Sequence, residues 1–340
     1  MKSNSMHLPP VIFGTSGLGN IYEIVPYERK KEIIQQSILH APDVAMFDSA
    51  GKYGAGLSLE VLGKCLQELN ISPDKVLISN KLAWYRVPLT TPEPTFEPGV
   101  WKGLEYDAVQ KISYEGILEC YEQGNSLLGN FKAQVVSVHD PDEYLATATS
   151  KEEEAKLYAD ILGAYKALHE LKQQGKVLSV GVGAKDWRSI ERISKDVELD
   201  WVMIANSLTI KTHEKALLDF VQQLHEKGTT IINSAVFNGG FLVGRDHFNY
   251  QFVDKETTAG AALFEWRNKF FDLCAEFNIK PAEACFNFGS HVPGVTSVAV
   301  STGDPNRVKQ NIDMASRQIP VEFWKQMKAQ GLLEEEYKYV

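Results

Sequence analysis

The stretch VAMFDSAGKYGAGLSLEVLGKCLQEL, residues 44–69, sets the pattern of the chain. A short apolar run, Val44–Ser49, gives way to a glycine-rich polar loop. Apolar residues then return at helical spacing from Leu57. The run carries few charges before Asp48, as a parallel strand buried on both faces does. One strand, one loop and one helix make a β/α unit.

The same unit recurs in both directions. Apolar runs suited to strands lie at Pro10–Thr15, Val76–Asn80, Gln134–His139, Leu178–Gly183, Trp201–Asn206, Thr230–Ser234 and Val295–Ser301. Helical stretches start at Glu28, Leu57 and Ser113, and another, rich in glutamate at its start and lysine at its end, closes at Gly175. That charge order suits the helix dipole. DWRSIERISKD, KALLDFVQQLHEKG and FEWRNKFFDLCAEFN follow the later strands, and DPNRVKQNIDMA follows the eighth. Eight strands, each followed by a helix, predict an α/β fold: one (β/α)₈ TIM barrel spanning residues 1–340 as a single domain. A doubly wound sheet is the competitor, and it usually carries G-x-G-x-x-G after its first strand. Here GTSGLGN, residues 14–20, has the wrong spacing.

The segment Trp84–Lys111 holds four prolines and follows the third strand. Its length points to a lid or binding loop. A net charge of −9, with no basic cluster, argues against nucleic acid and anionic membrane as partners. Four cysteines without a C-x-x-C pair fit reduced thiols in the cytoplasm. The first ten residues contain no apolar leader, and no run is long enough to span a membrane. Oligomeric state is not legible.

Asp48, Lys81 and His139 fall at the ends of the second, third and fourth strands, and Tyr53 lies in the loop just after the second. Strand C-terminal ends are where such barrels place their chemistry. Together the four make a proton-transfer set. A free phenol titrates near ~10, and an ammonium beside it stabilises the phenolate. An acid holds the lysine charged, and a histidine orients a carbonyl or hydroxyl oxygen. Ser301-Thr302-Gly303 leads into the last of these helices, a phosphate-binding arrangement common at barrel mouths. A metal-dependent hydrolase is the rival enzyme class. PVIFGTSG lacks an H-x-H pair, and later strand ends lack ligand spacing, so no metal is expected.

On these residues the chain resembles the aldo-keto reductase family. FDSAGKYG with a later lysine and histidine is similar to that family's Asp–Tyr–Lys–His tetrad, and the likeness runs from GTSGLGN through INSAVFNGG to STGDPNRVKQN. The resemblance implies Tyr53 as general acid/base, Lys81 as its tuner, Asp48 as support for the lysine and His139 as the substrate-orienting group. It implies NAD or NADP bound across the barrel mouth. Arg307, Gln310 and Asn311 would contact its adenosine end, and Asn206, a cofactor-binding candidate, stands where relatives have a glutamine on the sixth strand. Gly183 and Ala184 stand where many relatives have Ser-Asn, so a backbone contact would substitute. Ser301 stands where many NADP-preferring relatives have lysine, and Asp304 adds negative charge, which favours NAD. GVGAKDW, VFNGG and SVHDPDEY are most similar to the branch containing aldose 1-dehydrogenases for sugars such as L-fucose or L-galactose and pyridoxal 4-dehydrogenase. That implies oxidation of a cyclic hemiacetal to a lactone, with Tyr22, Trp84 and Phe237 as pocket walls. The alternatives are a general aldehyde or ketone reductase using NADPH, or a nicotinamide-binding regulatory barrel. The complete tetrad argues against the latter.

Overall fold

The computed structural model describes residues 8–340; the leader-free reading of residues 1–7 lies outside them. Eight parallel strands close into a barrel: β1 (Val11–Gly14), β2 (Ala45–Ala50), β3 (Val76–Leu82), β6 (Val135–His139), β7 (Ser179–Ala184), β8 (Trp201–Ala205), β9 (Thr230–Ser234) and β12 (Val295–Ser301). Each expected strand is present: Thr230–Ser234 and Val295–Ser301 keep their expected bounds, and the other ends shift by at most two residues.

Side-chain alternation explains the two cores. Met46, Val135, Trp201, Met203 and Ile232 fill the barrel interior, with Leu77 packed against them. Their strand neighbours Phe47, Ile78, Val136 and Val202 face the other way, into the layer beneath the helices. Inward positions recur every second residue. Two steps on from Leu77 and Val135 are Lys81 and His139, and one step on from Met46 is Asp48. The pleat therefore aims all three polar side chains into the C-terminal mouth.

The outer helices are α1 (Tyr27–His40), α2 (Leu57–Glu68), α3 (Tyr114–Leu127), the short α4 (Pro141–Leu145), α5 (Lys151–Gln173), α6 (Trp187–Asp196), α7 (Lys215–Glu226), α8 (Thr258–Glu276), α9 (Pro281–His291), α10 (Asn306–Asp313) and α11 (Val321–Ala329). Ser113 and Ser150 cap α3 and α5 by accepting from Gly116 and Glu153 backbone N–H groups. One helix per strand is too few. The unit after β9 carries both α8 and α9, and α11 docks beyond the barrel repeat. GTSGLGN is no helix-opening phosphate loop; Ser16–Gly19 forms one 3₁₀ turn.

Trp84–Lys111 differs from a structureless loop. WYRVP and YDAVQ pair as an antiparallel hairpin, β4 (Trp84–Pro88) with β5 (Tyr106–Gln110), in register from Trp84↔Gln110 to Pro88↔Tyr106. The prolines sit at the end of β4 and in the connection, where no ladder hydrogen bond is lost. Phe96 and Trp101 bury this connection against Ala55 and Ala108, with Tyr53 and Trp84 at the edge. A second, smaller ribbon, β10 (His247–Phe248) with β11 (Gln251–Phe252), follows β9.

Candidate active site

Lys81 Nζ donates to Asp48 Oδ2 at 2.5 Å and to the Ser49 carbonyl at 3.3 Å. The same ammonium lies 4.7 Å from the centre of the Tyr53 ring. The Tyr53 and His139 rings meet edge to face, centroids 5.7 Å apart. All four side chains thus share one space at the mouth. Gly183 makes room for this: a Cβ there would stand 3.3 Å from Lys81 Cδ. The Gly183 carbonyl accepts the Asp140 backbone N–H at 3.0 Å, so the backbone contact expected from it has a prior partner.

The loop carrying Tyr53 is seated backbone on backbone. A Cβ on Gly19 would fall 2.8 Å from the Tyr53 carbonyl carbon and oxygen. Ser58 ties the same corner together, donating to Thr15 while its backbone N–H reaches the Tyr53 carbonyl.

The electrostatics differ from the simple expectation for Tyr53. Burial raises the phenol above its usual value, and Lys81 pulls it down by less, so the net direction is upward. For Lys81, burial opposes the charge but Asp48 and Tyr53 outweigh it, so the ammonium is held protonated. Burial, then Lys81, Lys52 and Lys185, keep His139 neutral well below the usual imidazole range. It is 4% exposed, and neither ring nitrogen makes a hydrogen bond within the described chain. A neutral imidazole in this position offers one N–H to an incoming oxygen.

A second charged group adjoins the first. Lys52, next to Tyr53 in sequence, is buried among Glu97 at 2.9 Å, Glu143 at 2.8 Å and Asp140 at 3.4 Å. Lys185 pairs with Glu143 and lies 3.5 Å from Asp140. Burial works against Lys52, but Asp140, Glu97 and Glu143 prevail and keep it charged. Glu97 also accepts the Trp101 indole N–H at 2.7 Å, and the Trp101 ring lies 5.8 Å from that of Tyr53. Tyr250, at the tip of the β10–β11 ribbon with φ 69°, has its phenol pushed up to about 12 by burial and then by Tyr53. Sequence inspection singled out none of Lys52, Glu97, Trp101, Lys185 or Tyr250. Lys52 carried the one available signal, a lysine flanking Tyr53 inside FDSAGKYG.

Of the expected pocket walls, Trp84 lies beside Lys52, whose ammonium is 5.3 Å from its ring. Tyr22 is half-exposed at φ 64°, its backbone N–H bonded to the Val100 carbonyl. Phe237 is partly buried and packs against the helix-side core.

The residues expected to hold the cofactor ring the same mouth. Asn206 follows β8 at φ 61°, buried, with its side-chain oxygen sealed and unpartnered. A buried amide oxygen without a donor is costly, and a carboxamide N–H is a suitable partner. Ser301 ends β12 exposed, with its hydroxyl 3.4 Å from that of Ser16. Gly303 stands before α10, and Arg307 and Gln310 project from that helix into solvent, with Asn311 half-buried. Arg307 Nε lies 3.6 Å from Asp304 Oδ2. Asp304 already accepts the first backbone N–H of α10, from Asn306 at 3.0 Å, so the exposed arginine and the orphaned amide are the features that fit a dinucleotide.

A closed parallel barrel with a tyrosine, a charged lysine and a neutral histidine at its mouth defines an enzyme of the proton-transfer kind. The chain belongs to the aldo/keto reductase family, whose profile matches residues 10–331. It is 26% identical over 334 residues to a pyridoxal 4-dehydrogenase of Microbacterium luteolum, covering 94% of this chain and 93% of that one. It is 22% identical over 335 residues to a D-threo-aldose 1-dehydrogenase of a Pseudomonas species, with the same coverage of 94% and 93%. Among solved structures, an aldo-keto reductase from Bacillus halodurans in its holo form superposes with a TM-score of 0.67 at 15% identity, covering 97% of this chain and 93% of that one. The glycerol dehydrogenase from Gluconobacter oxydans superposes with a TM-score of 0.68 at 15% identity over 100% of both chains. The protein is therefore an NAD(P)-dependent oxidoreductase. No helix among the described residues is long and apolar enough to cross a membrane.

Proposed function

We propose that this enzyme oxidises an aldose-type cyclic hemiacetal to its lactone, with NAD preferred over NADP. The observation that carries this is the pairing of a tyrosine–lysine proton acceptor with a mouth lined by charged hydrogen-bonding groups and indole rings. Such a surface suits a small polar ring better than an aliphatic chain. The bound nicotinamide supplies the hydride-accepting carbon. Tyr53 Oη takes the proton of the anomeric hydroxyl, and Lys81 stabilises the phenolate that accepts it. Asp48 keeps Lys81 charged and aimed. His139, neutral, donates its N–H to the substrate oxygen and fixes the ring orientation. Asn206 and the Ser301–Gly303 turn, with Arg307, Gln310 and Asn311, hold the cofactor.

The lean to NAD rests on Ser301, which brings no cation, and on Asp304, which shares Arg307. A second substrate, pyridoxal, is favoured by the similarity to the Microbacterium enzyme. Four free, buried cysteines accord with a cytoplasmic setting. The deciding experiment is a panel of aldoses, pyridoxal and simple aldehydes with both cofactors in both directions, followed by cofactor absorbance. Oxidation of aldoses or pyridoxal with NAD is expected. Turnover confined to reduction of simple aldehydes by NADPH would replace this reading with that of a general reductase.

A further inference from the structure

Asp140 is the hub of the second charged group, and its two oxygens are treated unequally. Oδ2 lies 3.4 Å from Lys52 Nζ, 3.5 Å from Lys185 Nζ and 3.6 Å from His139 Nε2. Within the described chain, no group donates to Oδ1. The residue is in the left-handed region, φ 47°, with its N–H on the Gly183 carbonyl. This turns the side chain back beside His139 instead of along the chain. Lys52 spends its three N–H donors on three carboxylates. It is therefore a fixed counter-charge that holds Asp140 in place rather than a ligand of its own.

His139 supplies the second observation. It is buried, its Nδ1 sealed without a partner, and its Nε2 has the Asp140 carboxylate nearby at 3.6 Å, beyond hydrogen-bond reach, so Nε2 is the nitrogen that can meet an oxygen. Any oxygen that Nε2 engages has a carboxylate at its side. On a hemiacetal, the group beside the reacting carbon is a hydroxyl, which can donate to Oδ1. An apolar group there would leave the carboxylate oxygen dry and unpaired, which is costly.

We propose that Asp140 is a specificity-determining residue, accepting the hydroxyl on the carbon next to the one oxidised and so selecting polyhydroxylated substrates. The inference rests on the hemiacetal-oxidation reading above. A hydrogen bond to a charged acceptor is worth roughly ten- to a hundred-fold in affinity.

The test uses the holoenzyme at saturating cofactor, with an aldose it oxidises, the 2-deoxy sugar and the 2-deoxy-2-fluoro sugar. In the wild type, KM should rise from the aldose to the 2-deoxy sugar by about ten- to a hundred-fold. It should be highest for the fluoro sugar, whose fluorine cannot donate and meets the carboxylate as a second acceptor. Asp140→Ala should shrink the aldose-to-deoxy ratio to within about two-fold, since a cycle isolates the pairwise contact, and Asp140→Asn, which keeps an uncharged acceptor, should shrink it part of the way. A role confined to packing would lower both substrates together and leave the ratio standing, which overturns the proposal. If neither variant folds, the wild-type series still decides: a fluoro or deoxy sugar bound as well as the aldose overturns it. An enzyme that oxidises no aldose overturns the parent reading and this one with it. An enzyme that oxidises aldoses without regard to the neighbouring hydroxyl overturns only the role of Asp140.

Discussion

Replacing Lys81 by methionine tests the centre of the proposed chemistry. The ammonium lies 4.7 Å from the Tyr53 ring centre, a fair measure because a phenolate spreads its charge over the ring. At that distance and an effective dielectric of about 20, the attraction is ~3.5 kcal/mol, all of it favouring the phenolate. Tyr53 already stands above its usual value because burial outweighs Lys81. Oxidation needs the phenolate, so the wild-type rate should still be climbing at alkaline pH. Removing Lys81 should move the climb to higher pH and cut oxidative kcat/KM near neutrality by about a hundred-fold or more. The single change also strands Asp48, buried and unpaired, at a cost of ~3–5 kcal/mol in stability. An Asp48→Asn, Lys81→Met double variant removes both charges and protects the fold. The assay is kcat/KM for oxidation against pH, with a deuterium isotope effect to show that C–H cleavage limits the rate. An unshifted profile in both variants, with that isotope effect intact, would refute the coupling of Lys81 to Tyr53.

Tyr53→Phe should lower kcat by roughly 10²–10⁴-fold while cofactor binding, read by fluorescence titration, stays unchanged; a variant keeping most of its kcat removes Tyr53 from the mechanism. Ser301→Lys should tighten NADP several-fold more than NAD, about the worth of one exposed charge-assisted contact. A wild type that already prefers NADP strongly refutes the NAD lean. The third prediction concerns acid stability. Burial and the three lysines keep folded His139 neutral well below its usual range, whereas in the unfolded chain it titrates near ~6.5. Below that pH the unfolded chain binds a proton that the fold refuses. Its contribution is therefore intact above about pH 6.5 and falls by up to ~1.4 kcal/mol per pH unit below it. His139→Gln should flatten this slope in urea unfolding at several pH values, and identical slopes refute it.

The barrel was legible because its signal is redundant. Eight buried strands each read as a charge-poor run, and a slip of one residue in any of them leaves the count unchanged. Asp48, Lys81 and His139 were legible for the same reason: the strand ends locate them, and the pleat then turns them inward. The helices α9 and α11 were not, since PAEACFNFGSH and VEFWKQMKA break the one-helix rhythm; their available signals were Pro281 with Glu283 at one start and Pro320 at the other. The hairpin hid behind its prolines, which suggest a loop although WYRVP and YDAVQ pair. Lys52, Glu97 and Lys185 escaped because ion pairing between distant loops leaves no periodicity in the chain.

The hairpin has a further consequence, for traffic. Its connection is sewn to the loop after β1 by two backbone hydrogen bonds, Tyr22 to Val100 and Lys102 to Asn20, and is braced within its own turn by Val100 to Glu97. Glu97 then pins it to Lys52 below. A segment fastened along its edge and its base opens only by breaking buried ion pairs, so on this side the mouth has a wall and no door. The opposite rim, the β10–β11 ribbon, pairs over two residues and is tied to the turn before it by the Asn249 N–H on the Asn238 carbonyl and the Asn238 amide on Asn249 Oδ1, with no ion pair to Lys52 among the described residues. Without such an ion pair, local opening is cheaper there. Ligands should therefore come and go past Tyr250, and changes in the ribbon should alter release rates while leaving the chemical step alone.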